Sequence, residues 1–467
     1  MHTLTRPVWV RWFDAFLYKP AYFFLVALLT IYSNVFGGEL FTYTCFTLIF
    51  LYLCFFGRDY LPILPLAICS YISPSRNNNP GVNDASVFSY EVGGVYITIL
   101  AVSMIICFIY RLIRDEELGR KAFWTCKRQL LPGILLLCGS YLFSGFGSVQ
   151  QILVGKQNLL FAAIQCVSIF VLYFVMTAMV KWEQAPTAYL AWTGMCVGYV
   201  LLAELVNIYI SNDVIRYNII YRDHIYTGWG HYNNIGGVLA MMIPFPFFLT
   251  GKGKHSSIFY ISALLFLVGV VLTCSRASII CGAITYIVSY VLSLVHSRNA
   301  RANVLIHTLT VLGSIAIYVL YADKLLQLFH DLLVRGMGLS GRSRIYEAGL
   351  HQFLCYPVFG GSFYPVDYHV VSWYTSDAFL SLFPPRWHNT FVQILASCGI
   401  VGFCAYIYHR FQTLCLFLRR PSGKKMFAFL SMLTLLATSM LDCHMFNVGP
   451  VLFYSMMLAF VEKKLNQ

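Results

Sequence analysis

The chain has 467 residues, of which 59% are apolar and 11% charged, and its mean hydropathy is +0.69. An ordinary soluble domain carries about 25% charged residues, so this composition excludes a cytosolic globular enzyme, a disordered chain and a secreted disulfide scaffold. The net charge of +13 would suggest nucleic acid in a soluble protein; here its distribution gives it another origin, and no nucleic-acid partner is expected.

Continuous apolar runs fall near 20–36, 40–56, 60–74, 92–110, 130–146, 159–180, 187–210, 235–250, 257–274, 277–295, 303–321, 389–409, 426–441 and 447–461. A bilayer core demands about 20 such residues per helix, whereas a transmembrane barrel would show alternating segments of roughly 10. The predicted fold is therefore all-α, a polytopic membrane bundle of about 12–14 transmembrane helices. The run at 60–74 is short and holds Pro62, Pro65 and Pro74, so a re-entrant segment is an alternative there. Arg6, Arg11 and Lys19 precede the first run and no small-residue cleavage site follows it, so that helix is expected to be retained.

Placing the N-terminus inside and alternating puts 22 of the 32 Lys and Arg, but only 7 of the 19 acids, in loops 1–19, 57–59, 111–129, 181–186, 251–256, 296–302, 410–425 and 462–467. That asymmetry is the positive-inside signal. It predicts a multi-pass protein with both termini cytoplasmic. The fifteen cysteines lie mostly in apolar runs without a CxxC pair, which reads as small apolar packing.

Two long segments then face outward, 211–234 and 322–388. Within the second, 323–335 spaces Leu325, Leu326, Phe329, Leu332 and Leu333 as a helix ending at Gly336. Residues 343–354 space Ile345, Gly349, Leu350, Phe353 and Leu354 likewise, with Ser340 as a start and Pro357 as a stop. A helical extracytoplasmic loop subdomain is predicted.

The chemistry-bearing residues gather on this side. Arg276, between two apolar helices, is either a snorkelling helix-end cation or an anion-binding group. Arg342 and Arg344 stand at a helix start, where the dipole disfavours cations but favours a bound anion; pairing of Arg344 with Glu347 is the plainer alternative. His388 can take a proton near neutral pH, and Asn389 beside it looks like a helix cap. His231 precedes Tyr232, Asn233 and Asn234 at another helix start, again a capping pattern. The loop 322–388 carries thirteen aromatic residues, among them Tyr346, Tyr364, Trp373, Tyr374 and Trp387, suited to a sugar face or to headgroup-level anchoring. No HExxH, paired-Cys or DxD pattern accompanies them, so neither metal nor cofactor is expected.

Three stretches together resemble the O-antigen ligase and O-antigen polymerase superfamily. Thr273-Cys274-Ser275-Arg276-Ala277-Ser278 resembles its Ser-Arg turn. Gly341-Arg342-Ser343-Arg344-Ile345-Tyr346, followed by Tyr356-Pro357-Val358-Phe359-Gly360-Gly361, resembles its second motif. His388-Asn389-Thr390-Phe391-Val392-Gln393, followed by Gly399-Ile400-Val401-Gly402, resembles its third. Asn233-Asn234 is similar to a fourth, weaker one. Tyr346 stands where the family commonly has Trp, and Ser397-Cys398 where it often has Glu before Gly.

The resemblance divides the chain into N-terminal helices (1–224), a ligase-like catalytic region (225–405) containing loop 322–388, and C-terminal helices (406–467). It implies a GT-C-like membrane glycosyltransferase that takes a glycan from undecaprenyl diphosphate on the outer face and passes it to a glycan or lipid hydroxyl acceptor, without nucleotide sugar or metal. His388 would be the general base or position the acceptor, Arg276 and Arg342 would bind the diphosphate, and Arg344, Asn389, Asn233, Asn234, Tyr346 and Trp387 would contact substrate. The competing classes are a flippase for lipid-linked glycan and a non-catalytic envelope scaffold. A transporter should place ionisable groups at mid-membrane, whereas most of these helices are uncharged at their centres and Glu204 falls near the outer end of its span.

Overall fold

The computed structural model describes residues 7–57, 59–69, 91–114, 128–180, 186–211, 225–227, 230–250, 258–296, 300–328, 342–364, 386–419 and 423–465. Each of the fourteen apolar runs carries helix, as their composition requires in a medium where backbone groups must be satisfied within the segment. Five helical stretches are individually long and apolar enough to cross a membrane, at 155–178, 187–211, 232–250, 276–295 and 390–419. A sixth forms if Val8–Phe16 and Pro20–Phe36, bent by 74°, count as one. Six shorter apolar helices accompany them. The protein is an all-α integral membrane protein.

The chain forms two compact units that interleave in sequence. The first comprises residues 1–126 and 176–334, the second 127–175 and 335–467.

The first unit holds α1 (Val8–Phe16), α2 (Pro20–Phe36), α3 (Glu39–Phe55), α4 (Ile63–Cys69) and α5 (Glu91–Arg114). The described part of α4 begins after Pro62, takes in Pro65 and ends at Cys69; residues 70–74 of that run lie outside the described residues. After α6 (Leu131–Leu142) and α7 (Val149–Met179), the unit resumes with α8 (Pro186–Ser211). A two-residue hairpin, β1 (Tyr226–Thr227) with β2 (Gly230–His231), pairs antiparallel. It leads into α9 (Tyr232–Met242), α10 (Pro244–Thr250), α11 (Phe259–Leu272), α12 (Arg276–His296) and α13 (Ala300–Leu328). The expected separate helix at 323–335 is corrected over its first six residues, where α13 simply continues to Leu328; the remainder lies outside the described residues.

The second unit contains α6, α7 as far as Val175, α14 (Arg342–Cys355), α15 (Thr390–Arg419), α16 (Gly423–Ser439), a 3-10 turn at His444–Phe446 and α17 (Val448–Leu465). Helix α14 coincides with the predicted 343–354 segment and stops ahead of Pro357, since a helix is disfavoured before proline. The predicted inner loop 410–425 is helical through Arg419. Helix α15 breaks at Gly399, whose φ of 62° is left-handed, so its straight second part begins at Ile400. Arg410 lies about 15 Å along that part, its guanidinium 4.6 Å from the ring centres of both Tyr406 and Tyr454. A cation between two ring faces is attracted by both.

Candidate functional site

In the first unit the Ser-Arg turn closes α11 and opens α12. The Thr273 hydroxyl donates to the Val270 carbonyl at 2.6 Å, and the Ser275 amide donates to Thr273 Oγ1 at 3.4 Å. Between them Cys274 adopts φ 55°. Arg276 is thus the first residue of α12, where free N–H groups and the helix dipole favour an anion rather than a lone cation.

The Asn233 stretch supports this turn directly. Ser275 Oγ donates to Asn233 Oδ1 at 2.8 Å and lies 3.0 Å from Ser278 Oγ. His231 caps α9, its Nδ1 accepting from the Asn233 amide at 3.3 Å. Gly236 lets α9 and α12 close on one another: a Cβ there would sit 2.7 Å from Thr273 Oγ1 and 2.8 Å from Ser278 Cβ. Asn234 is buried. Nearby, the buried Glu204 of α8 accepts from Asn34 of α2 and from Thr227 of β1. That carboxylate anchors the hairpin to two spanning helices, a role the sequence reading did not give it.

In the second unit the third motif forms a turn ahead of α15. Asn389 Oδ1 accepts from the amides of Phe391 at 2.9 Å and Val392 at 3.3 Å, a helix cap. Trp387 is 2% exposed and packs against Ile345 and Ala348 of α14 and Val392 and Ala396 of α15. It is an internal anchor between two helices. His388 takes φ 51°, a conformation uncommon outside glycine. Between a buried Trp and a capping Asn, the backbone holds its imidazole 25% exposed. Tyr346 donates its hydroxyl to the His388 carbonyl at 3.2 Å. Burial raises the Tyr346 pKa, with Arg342 beside it acting in the opposite direction.

The turn after α16 completes this cluster. Three consecutive-region carbonyls each accept from a side chain: Met440 from Asn389 Nδ2 at 2.9 Å, Leu441 from Arg342 Nη1 at 2.7 Å, and Cys443 from Arg386 Nη1 at 3.2 Å. Among them, the nearly buried Asp442 brings Oδ1 to 3.4 Å from His388 Nδ1, and the same oxygen accepts from the Cys443 amide at 2.7 Å. The Cys443 thiol is pushed up to about 12, by burial first and then by Asp442. A carboxylate facing Nδ1 orients an imidazole and leaves Nε2 to exchange a proton. Asp442 and Arg386 are the residues sequence reasoning missed. The available signal was weak: one of only 19 acids, placed between two apolar runs.

The glycines of the second and third motifs have a joint explanation. The amides of Ile400 and Val401 donate to Pro357 and Val358 at 2.9 and 3.2 Å, and the amide of Gly361 donates to Ala396 at 2.8 Å. At Gly399 a Cβ would lie 2.4 Å from the Val358 oxygen; at Gly360, with φ 70°, it would lie 2.3 Å from the Ser397 carbon. The break in α15 thus exposes carbonyls that the 357–362 strand of chain satisfies.

Of the predicted site residues, Arg276, Asn233 and Asn234 belong to the first unit. Arg342, Arg344, Tyr346, Trp387, His388 and Asn389 belong to the second. Arg344 is exposed on the first turn of α14. Trp373 and Tyr374 lie outside the described residues.

These features define an integral membrane protein with guanidinium groups at helix starts and an imidazole backed by a carboxylate. Residues 261–407 match the family model described as O-antigen ligase. The chain therefore carries a domain of the O-antigen ligase superfamily, whose members are glycosyltransferase-type enzymes. The match takes in Arg276, Arg342 and His388 and ends ahead of Asp442. No curated protein matches the chain.

Proposed function

We propose that the protein transfers a glycan from undecaprenyl diphosphate to a hydroxyl group of a glycan or lipid acceptor on the outer face of the plasma membrane, as a ligase or a surface-polysaccharide polymerase. His388 Nε2 takes the proton of the acceptor hydroxyl as its oxygen attacks the anomeric carbon. The bond to the diphosphate breaks, and the leaving oxygen keeps the electron pair. Guanidinium groups suit the charge that gathers there, and Arg276 and Arg342 are assigned that role in place of a metal clamp. Attack opposite the leaving group inverts the anomeric centre. Both termini are placed in the cytoplasm.

The observation that carries this reading is the His388–Asp442 pair, whose imidazole lies within the region matched by the ligase family and whose carboxylate comes from beyond it. The test is acceptor-dependent transfer by purified protein, using lipid-linked glycan extracted from the producing cells, with and without EDTA. Transfer that survives chelation supports the reading; its loss contradicts the metal-free route. Arg410, inside the straight part of α15, is the feature that favours the flippase alternative. Vesicles that flip the lipid without transferring glycan would establish that alternative instead.

A further inference from the structure

Gln393 lies one turn into α15, within the third motif, and is 1% exposed. A buried carboxamide must satisfy an oxygen and an NH2 group, so its partners report what it is built for. Its amide nitrogen, Nε2, donates to Ser397 Oγ at 3.0 Å, one turn along the same helix. Its oxygen, Oε1, accepts from two places far apart in the chain. One is the Trp387 backbone amide at 3.1 Å, the residue ahead of His388. The other is the Cys443 thiol at 3.5 Å, the residue after Asp442. The thiol is a competent donor there because burial keeps its proton on.

The proposed base and its carboxylate sit on different turns, which Asn389 to Met440 and Arg386 to Cys443 also bridge. His388 hangs from the α15 cap and Tyr346, while Asp442 is carried by the α16 turn. A left-handed φ at His388 needs surroundings that over-determine it. One oxygen atom tied to both flanking residues supplies a direct constraint on the spacing of imidazole and carboxylate.

We infer that Gln393 is a positioning residue: its side-chain oxygen ties the chain before His388 to the chain after Asp442 and so sets their alignment. This rests on the proposed role of His388 as base. Misplacement of a catalytic group by about 1 Å can cost around 100-fold in rate, so the effect belongs in kcat rather than in KM.

The test uses purified full-length protein and the extracted lipid-linked glycan. Gln393→Leu removes both ties and is expected to lower kcat about 30-fold with KM within about twofold. Gln393→Glu keeps an acceptor oxygen in place and is expected to remain within about threefold of the parent. In an Asp442→Asn background, Gln393→Leu is expected to cost under about twofold, because residues acting through one another are not additive. An equal loss in both backgrounds, or a Glu variant as slow as the Leu variant, would overturn the inference and leave Gln393 as packing only. Should Gln393→Leu fail to insert, Gln393→Met, which also lacks the acceptor oxygen, and its cycle with Asp442→Asn carry the same decision. His388→Ala assayed in parallel separates the two levels: full activity there sinks the base assignment, whereas its inactivity with an indifferent Gln393 sinks only the tie.

Discussion

The two motif turns make an instructive pair. Cys274 and His388 both adopt left-handed backbone immediately ahead of a helix start, at φ 55° and 51°. Their supports differ in kind. The Ser275–Arg276 turn is held by neutral partners, Asn233, Ser278 and the Thr273 hydroxyl. The His388 turn is held by two guanidinium groups, a carboxamide and a carboxylate gathered on residues 440–443. A neutral cradle sets the backbone of Arg276 at the start of α12, where the helix dipole favours an anion. A charged cradle fixes and polarises an imidazole. Similar left-handed backbone thus precedes a helix start in each unit, beside neutral groups in one and charged groups in the other.

Several substitutions would break or sharpen that contrast. The largest effect on lipid retention is expected from Arg276→Ala, which should weaken retention of the lipid diphosphate by purified protein and lower transfer by about 100-fold. His388→Ala should retain the lipid normally. Equal lipid loss in both variants would erase the distinction. Asp442→Asn is next, with kcat falling about 10- to 100-fold and lipid retention unchanged, as expected of a partner that orients the base; unchanged kcat would remove Asp442 from the site.

The stability effects are smaller. Ser275→Ala withdraws the donor of the buried Asn233 oxygen and should destabilise the first unit by about 1–3 kcal/mol, read as a lower thermal midpoint; an unchanged midpoint would show that the neutral cradle is dispensable. His388→Gly should be more stable than His388→Ala by about 1 kcal/mol, since only glycine tolerates φ 51° freely. The reverse order would deny the strain at this turn. The smallest effect concerns Cys443. Its folded pKa, about 12, lies above the ordinary thiol value, so folded protein holds this proton more tightly than unfolded protein does. That contribution is complete below about pH 8.5, fades as pH rises toward 12, and should leave Cys443 unreactive to a maleimide at pH 8 while the exposed Cys355 reacts.

Much of the fold was legible because apolar run length is a local property: each run between Pro20 and Leu465 carries helix. Arg276, Arg342 and His388 were legible because their motifs occur in order along the chain. Asp442 was not, because its partner lies 54 positions away and nothing local marks an acid in a short turn. Asn389 read both as a helix cap and, through the resemblance, as a substrate contact, and the fold makes it a cap bonded to Met440; Trp387, given only as a substrate contact, is also a buried anchor. The break at Gly399 was equally invisible, since a lone glycine in a spanning helix has several meanings and only the approach of the Pro357–Val358 carbonyls selects one. Arg410 changed its place, from the edge of an expected loop to the body of a helix, because α15 continues to Arg419.

The central claim is that the His388 imidazole performs the proton transfer of a glycan transfer reaction. The most direct measurement compares parent and His388→Ala protein, purified in parallel with matched thermal midpoints, for glycan delivered to acceptor from the extracted lipid-linked donor. The account predicts transfer by the parent and a loss of about 1,000-fold in the variant; transfer at the parental rate by His388→Ala would contradict it.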